Sequence, residues 1–229
     1  MTTPNMTKVK CLPTYILLDI SESMQPVQDT LNDTLESLFN ELIMSPAISD
    51  FAQVSIITFN TDAHLVLGIT NIQQIQALPE LECGGVTNFD RAFQLVRECI
   101  DRDVEQLTAE RSVLRPVVVF VLTDGQPTDE NGYFTDQWKD AYHKLVDKGW
   151  RRHPNVVPFG FGDATVEVIK EIATIDGAAF LTKDPDNADA LRKIFSSLLR
   201  TLVASARSSS LQLPEEIDGF VAVNREVID

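Results

Sequence analysis

The stretch Pro116-Val117-Val118-Val119-Phe120-Val121-Leu122-Thr123-Asp124-Gly125 runs from an apolar segment straight into a polar turn. Continuous β-branched and aromatic residues suit a central strand of a parallel sheet, covered on both faces. A half-buried strand would alternate apolar and polar residues instead. The break at Thr123-Asp124-Gly125 places the end of that strand, and a loop carrying a carboxylate, at Asp124.

Working outward, the same unit recurs. Tyr15-Ile16-Leu17-Leu18 reads as a buried strand ending at Asp19. Val27, Leu31, Leu35, Leu38, Phe39, Leu42 and Ile43 then repeat at helical spacing up to Met44, and Pro46 and Ser49-Asp50 break the pattern. Val54–Phe59 predicts a second strand, Ala63–Ile69 a third that returns beside it, and Ile72–Leu78 a short helix. Further helices are expected near Phe89–Ile100, Thr135–Lys148, Thr165–Thr174 and Asn187–Ala204, with strands at Val156–Phe161 and Ala179–Leu181. Strands alternating with helices indicate βαβ crossovers. The expected fold is α/β, a three-layer, doubly wound, mostly parallel sheet with one antiparallel edge strand. We expect residues 1–13 to be an N-terminal extension, 14–206 one domain, and 207–229 an acidic C-terminal tail entered through Ser208-Ser209-Ser210. Leu211, Leu213, Phe220 and Val223 in that tail can dock on the body or on a partner.

The chain has 229 residues, 34 acidic and 19 basic, for a formal net charge of −15. Such a surface repels nucleic-acid phosphates and anionic membranes, so neither is an expected partner. Its plainest consequence is solubility; it also favours cations or a basic partner surface. Three cysteines, Cys11, Cys83 and Cys99, form neither a disulfide framework nor a CxxC pair, which fits a reducing compartment. The polar start MTTPNMTKVK has no apolar signal region, and no apolar run approaches the roughly 18 residues of a membrane span. The expected location is the cytoplasm.

In open α/β sheets the working site lies at the carboxyl ends of the strands. Three polar clusters fall there: Asp19-Ile-Ser21-Glu-Ser23, Gly84-Gly-Val-Thr87 and Thr123-Asp124-Gly125. Asp19, Ser21, Ser23, Thr87 and Asp124 supply two carboxylates and three hydroxyls. An all-oxygen set suits a hard cation such as Mg²⁺, with Mn²⁺ or Ca²⁺ as alternatives, and not copper or Zn²⁺, which favour His or Cys. Each cluster alone has a plainer reading: Ser21 or Ser23 capping the helix near Val27, a common TDG turn, a flexible glycine loop. Their order, each at the end of the right element, argues for one metal site.

These residues resemble the metal-ion-dependent adhesion site of the von Willebrand factor A family, whose pattern is D-x-S-x-S, a later Thr and an Asp after the fourth strand. DISES, GGVT and TDG match at all five positions, and FGFGDA at 159–164 is similar to the GxGD that ends the family's fifth strand. The resemblance runs from about Thr14 to Ala204. It implies that Asp19, Ser21, Ser23, Thr87 and Asp124 hold the metal directly or through water, with one position left for a carboxylate from a protein partner. It implies a metal-dependent protein-interaction module and no enzyme. Within the family the chain looks like the bacterial tellurite-resistance Y-type group, which implies a stress-response role and an operon-encoded kinase or phosphatase as partner.

The alternative is a Mg²⁺-dependent phosphatase of haloacid-dehalogenase-like type with Asp19 as nucleophile. That chemistry wants a second Asp two residues on as general acid, where this chain has Ser21; Lys183 is a displaced candidate for its lysine. No GxSxG or GxxxxGK[ST] motif is present. His64, His143 and His153 are scattered and read as ordinary positions. Trp138, Tyr142 and Trp150 are expected to pack against the sheet.

Overall fold

A computed structural model describes residues 10–45, 48, 51–75, 77–110, 113–182 and 184–223. Pro46, Ser49, Asp50, Lys183, most of the expected N-terminal extension and the end of the tail lie outside the described residues. In chain order the elements are β1 (Lys10–Asp19), a 3-10 turn (Glu22–Val27), α1 (Gln28–Ile43), β2 (Ala52–Phe59), β3 (Ala63–Asn71), α2 (Phe89–Ala109), β4 (Val113–Leu114), β5 (Val118–Thr123), α3 (Trp138–Leu145), β6 (Asn155–Gly160), α4 (Val166–Ile172), β7 (Phe180–Leu181), α5 (Asn187–Ser208) and β8 (Val221–Ala222).

The strands form one sheet in the order β3-β2-β1-β5-β6-β7-β8, with β4 paired to the start of β1. β1 is parallel to both β2 and β5, and β6 and β7 continue parallel. β3 runs antiparallel to β2, the expected edge strand, and β8 runs antiparallel to β7 at the other end. Every residue of β5 is buried, as its unbroken apolar run requires. One face of the sheet packs on α1 and α5 through Leu35, Leu38, Leu191, Ile194 and Leu198. The other packs on α2, α3 and α4 through Phe89, Phe93, Trp138, Tyr142 and Ile169. This is the three-layer α/β architecture with helices on both sides of a mostly parallel sheet.

Several elements depart from their expected limits for physical reasons. α2 runs past Ile100 to Ala109; its last turns, DRDVEQLTA, are charged, yet Asp103 and Leu107 are buried inward. The buried Asp103 carboxylate accepts from the Tyr15 hydroxyl at 2.9 Å and pairs with Arg102 at 2.7 Å, so a charged residue completes the inward face. Among the described residues of the stretch expected as a helix over 72–78, a 3-10 turn, Ile72–Gln74, is the one helical element. β1 opens at Lys10, ahead of Thr14, and α5 continues to Ser208, where Ser209 turns left-handed at φ 55°. The tail docks on the body: Leu211, Leu213 and Phe220 pack on the α1–α5 core, Val223 on the other, and β8 extends the sheet. Trp138 and Tyr142 are buried as expected, and Trp150 is partly buried under the Arg97 guanidinium, 4.1 Å from its ring centre. His64, His143 and His153 are exposed.

Candidate metal centre

The chain reverses winding direction between β1 and β5, so the loops leaving these two adjacent strands part and open a crevice at their carboxyl ends. Asp19 is the last residue of β1 and Asp124 follows the last residue of β5. Both carboxylates are buried, with 1% and 2% exposure. The backbone N–H of Ser21 donates to Asp19 Oδ1 at 2.9 Å, which fixes that carboxylate from its own loop. The hydroxyls of Ser21 and Ser23 lie 3.1 Å apart, and Ser23 Oγ donates to Asp124 Oδ1 at 2.8 Å. Ser21 is buried whereas Ser23 is exposed, so the cluster opens to solvent on the Ser23 side.

Neither serine caps a helix. Ser21 occupies the N-cap position of the 3-10 turn but makes no side-chain cap bond, and α1 begins after Val27. The capping reading of DxSxS therefore fails: the hydroxyls face each other and Asp124 instead of backbone N–H groups.

Thr87 arrives from the loop before α2. Its backbone is clamped by Thr128, with Thr128 N–H donating to Thr87 O at 2.9 Å and Thr87 N–H to Thr128 Oγ1 at 3.0 Å. A Cβ added to Gly125 would stand 3.1 Å from Thr87 Oγ1, so the Thr87 hydroxyl lies against the turn that carries Asp124. The hydroxyl has no hydrogen-bond partner among the described residues, which leaves its lone pairs available. Asn88, next in line, caps α2 by accepting from Arg91 N–H at 3.3 Å. The loop itself is tied to the DISES segment by Gly84 N–H to Ile20 O at 2.8 Å and Glu22 N–H to Gly85 O at 3.0 Å. Gly85 sits at φ 80°, and a Cβ there would lie 2.5 Å from Thr61 Oγ1. We therefore expect Gly85→Ala to cost about 1–3 kcal/mol by thermal denaturation, from left-handed strain and this clash together.

Thr123 belongs to the site although the sequence reading gave it no role. Its hydroxyl donates to Asp19 Oδ2 at 2.6 Å and accepts from Gly125 N–H at 3.2 Å, bridging the two strands. The available signal was a hydroxyl closing an otherwise apolar strand, next to an Asp.

Electrostatics set the requirement of this cluster. Burial pushes the Asp19 carboxyl up to about 7, helped by the Asp124 charge and opposed by hydrogen bonds from Ser21 and Thr123. Asp124 is also raised by burial, against the Ser23 hydrogen bond, with Asp163 adding repulsion. Burial and then the Asp19 and Asp124 charges lift the nearby Cys83 thiol to about 11. No Lys or Arg pairs with either carboxylate among the described residues. Nor do three His, Cys, Asp or Glu side chains converge anywhere among them. The inventory is two buried carboxylates and three hydroxyls, all oxygen. It fits a divalent cation that neutralises the carboxylate pair.

The von Willebrand factor type A domain family matches residues 15–197 of the chain. The chain belongs to this family. No curated protein matches the sequence. Among solved structures, proximal thread matrix protein 1 from the mussel byssus, with a zinc-occupied MIDAS (metal-ion-dependent adhesion site) motif, has a TM-score of 0.58 at 16% identity, over 86% of this chain and 48% of that one. The von Willebrand factor type A protein from Catenulispora acidiphila has a TM-score of 0.54 at 15% identity, over 84% of this chain and 43% of that one. The vWF domain of the type V pili tip protein Mfa5 from Porphyromonas gingivalis has a TM-score of 0.59 at 10% identity, over 92% and 99%. At these identities the likeness is one of fold. The VWA chain spans about half the length of the byssus protein. VWA domains often carry a MIDAS metal site that mediates protein interactions, and they are typically interaction modules and not enzymes. Among the described residues of this VWA domain no helix is long and apolar enough to cross a membrane.

The carboxylate pair gives the VWA domain a characteristic pH response in chelator. Folded Asp19 keeps its proton up to about 7, whereas an unfolded Asp loses it near 4. Between those values the folded state binds more protons, so stability falls as pH rises, by a few kcal/mol over that window. Chelated wild-type protein is expected to melt higher at pH 5 than at pH 8 relative to Asp19→Asn, which lacks the titrating group; thermal melts of the two across that range test this.

Proposed function

We propose that this VWA domain is a metal-dependent docking module. Asp19, Ser21, Ser23, Thr87 and Asp124 would hold one divalent cation, Mg²⁺ or its close substitute Mn²⁺. The observation that carries this reading is the buried Asp19–Asp124 pair, linked by Ser21, Ser23 and Thr123 and without a basic partner among the described residues. Bound there, the cation supplies a positive centre that attracts an acidic side chain of a protein partner. The chain's own residues position the donors: Thr123 and the Ser21 N–H fix Asp19, Ser23 restrains Asp124, and Thr128 clamps the Thr87 backbone. Ca²⁺ is also compatible with an oxygen set, and the zinc-occupied MIDAS of the byssus protein brings in Zn²⁺ against the expectation from ligand softness; titrations with each ion separate them.

The phosphatase alternative gains no support from the geometry. The residue two after Asp19 is Ser21, whose hydroxyl faces Ser23, and Lys183 is outside the described residues. We further propose a cytoplasmic setting, supported by a cysteine set, Cys11, Cys83 and Cys99, that is odd in number and has no CxxC spacing. A tellurite-resistance-type stress response, with an operon-encoded kinase or phosphatase as partner, is proposed on overall sequence resemblance.

The test is affinity capture with the tagged chain in Mg²⁺, eluted with EDTA, beside the variants Asp19→Ala and Asp124→Ala. A partner released by chelator and lost in both variants is expected. Capture that survives either substitution would refute the docking role.

A further inference from the structure

Two large aromatic side chains stand in solvent beside the metal loops. Tyr133 is 73% and Phe134 76% exposed, whereas Phe59, Phe89, Phe120 and Phe159 are buried at 1% or less. Exposed aromatics of this size are costly to leave in water and are the residue type that anchors interfaces.

Their support is rigid. They sit on a hairpin over residues 127–135 that follows the Thr123-Asp124-Gly125 turn, with Thr128 and Phe134 bridged antiparallel. Asp129 N–H donates to Tyr133 O at 2.8 Å and Thr135 N–H to Pro127 O at 3.2 Å. Asp129 Oδ1 accepts from the N–H groups of Asn131 and Tyr133 at 2.9 and 3.0 Å, and Gly132 turns the tip at φ 83°. The hairpin is fixed to the loop of Thr87 by the two Thr87–Thr128 hydrogen bonds. Its tip also rests near Val86: a Cβ on Gly132 would lie 3.4 Å from Val86 Cγ1. Directly opposed residues of an antiparallel pair share a face. Phe134 therefore leaves the hairpin on the side of Thr128, whose hydroxyl reaches Thr87, and Tyr133 leaves on the other.

The surroundings are acidic. A cavity of about 330 Å³ between the hairpin and the start of α2 is lined by Asp90, Asp129 and Glu130, with Arg91 the one cation among its described lining residues, and Arg91 itself faces Asp62 at 4.0 Å. A uniformly acidic ligand is repelled from this rim.

We propose, resting on the metal-docking reading above, that Phe134 is a partner-contact residue that selects which segment docks. The occupant is a polypeptide segment with one carboxylate for the metal, an apolar side chain packed on the Phe134 ring, and a basic side chain facing Asp90, Asp129 and Glu130. The carboxylate gives the metal its ligand, and the two flanking residues give discrimination.

The experiment displays a random peptide library to the immobilised full chain in Mg²⁺ and keeps only clones released by EDTA. Synthetic peptides from those clones are then titrated against wild type, Phe134→Ser and Asp124→Ala. Selected peptides are expected to pair a single Asp or Glu with apolar and basic neighbours, and to bind Phe134→Ser at least about tenfold more weakly. Mn²⁺ affinity and melting temperature of Phe134→Ser should equal wild type, because the ring is exposed. If chelator-sensitive peptides bind Phe134→Ser as tightly as wild type, or are uniformly acidic, this inference is wrong while metal docking stands. If no clone is chelator-sensitive, or Asp124→Ala binds the peptides equally well, the docking reading falls and this inference with it.

Discussion

Asp19→Asn is expected to abolish divalent-cation binding while leaving the chelated protein as stable as wild type, or more so. The substitution keeps the shape of the side chain and an oxygen to accept from Ser21 N–H. The new amide can donate to the Thr123 hydroxyl, which now accepts. What disappears is a charge that burial and Asp124 both oppose. A residue retained at a cost to the metal-free fold is the signature of a functional site. With metal the balance reverses, since the cation gains most from the charge that the bare fold tolerates least. Calorimetric titration with Mg²⁺ or Mn²⁺ should show affinity lower by roughly a hundredfold or more, and melts in EDTA should show no loss of stability. A destabilised variant that still binds metal would mean that Asp19 serves the core.

The largest loss of stability is expected from Phe89→Ala. Phe89 is fully buried at the first turn of α2 and meets Phe59, Phe93 and Trp138 edge-on, with ring centres 5.4, 5.5 and 5.8 Å apart. Removing it opens a cavity that these rings close only in part, for a cost of about 3–5 kcal/mol. For a chain of this size that lowers the melting temperature by roughly 10 °C. Phe89 also follows the Asn88 cap and the Thr87 loop, so the variant should weaken metal affinity as well as stability. Trp138→Ala removes a ring of the same cluster from α3, which does not carry Thr87. It is expected to lose comparable stability with less effect on metal binding, and a titration of both variants separates packing from positioning.

The central strands β1, β2, β5 and β6 were legible because they carry nearly continuous apolar runs, and α1 and α5 because their buried faces repeat at helical spacing. The end of α2 was not, since its inward face there uses Asp103, satisfied by Tyr15 and Arg102, contacts that only the fold creates. β8 was hidden for a similar reason: two exposed residues pair with an edge that exists only once β7 is in place. The oxygen inventory of the site could be read from three motifs, because strand ends converge in this architecture. Thr123 was missed because it reads as the last residue of a strand, and its contact with Asp19 spans 104 positions. The serines were ambiguous for the same reason, since a capping hydroxyl and a hydroxyl turned to a distant carboxylate look alike until Asp124 stands beside Ser23.

A cation held between Asp19 and Asp124 would be visible crystallographically. The most direct measurement is diffraction from crystals grown with Mn²⁺, recorded where manganese scatters anomalously. One strong anomalous peak bounded by Asp19, Ser21, Ser23, Thr87 and Asp124, absent in Asp19→Asn crystals, is the expected result. No peak at saturating Mn²⁺, or a peak bound by other residues only, would contradict the account.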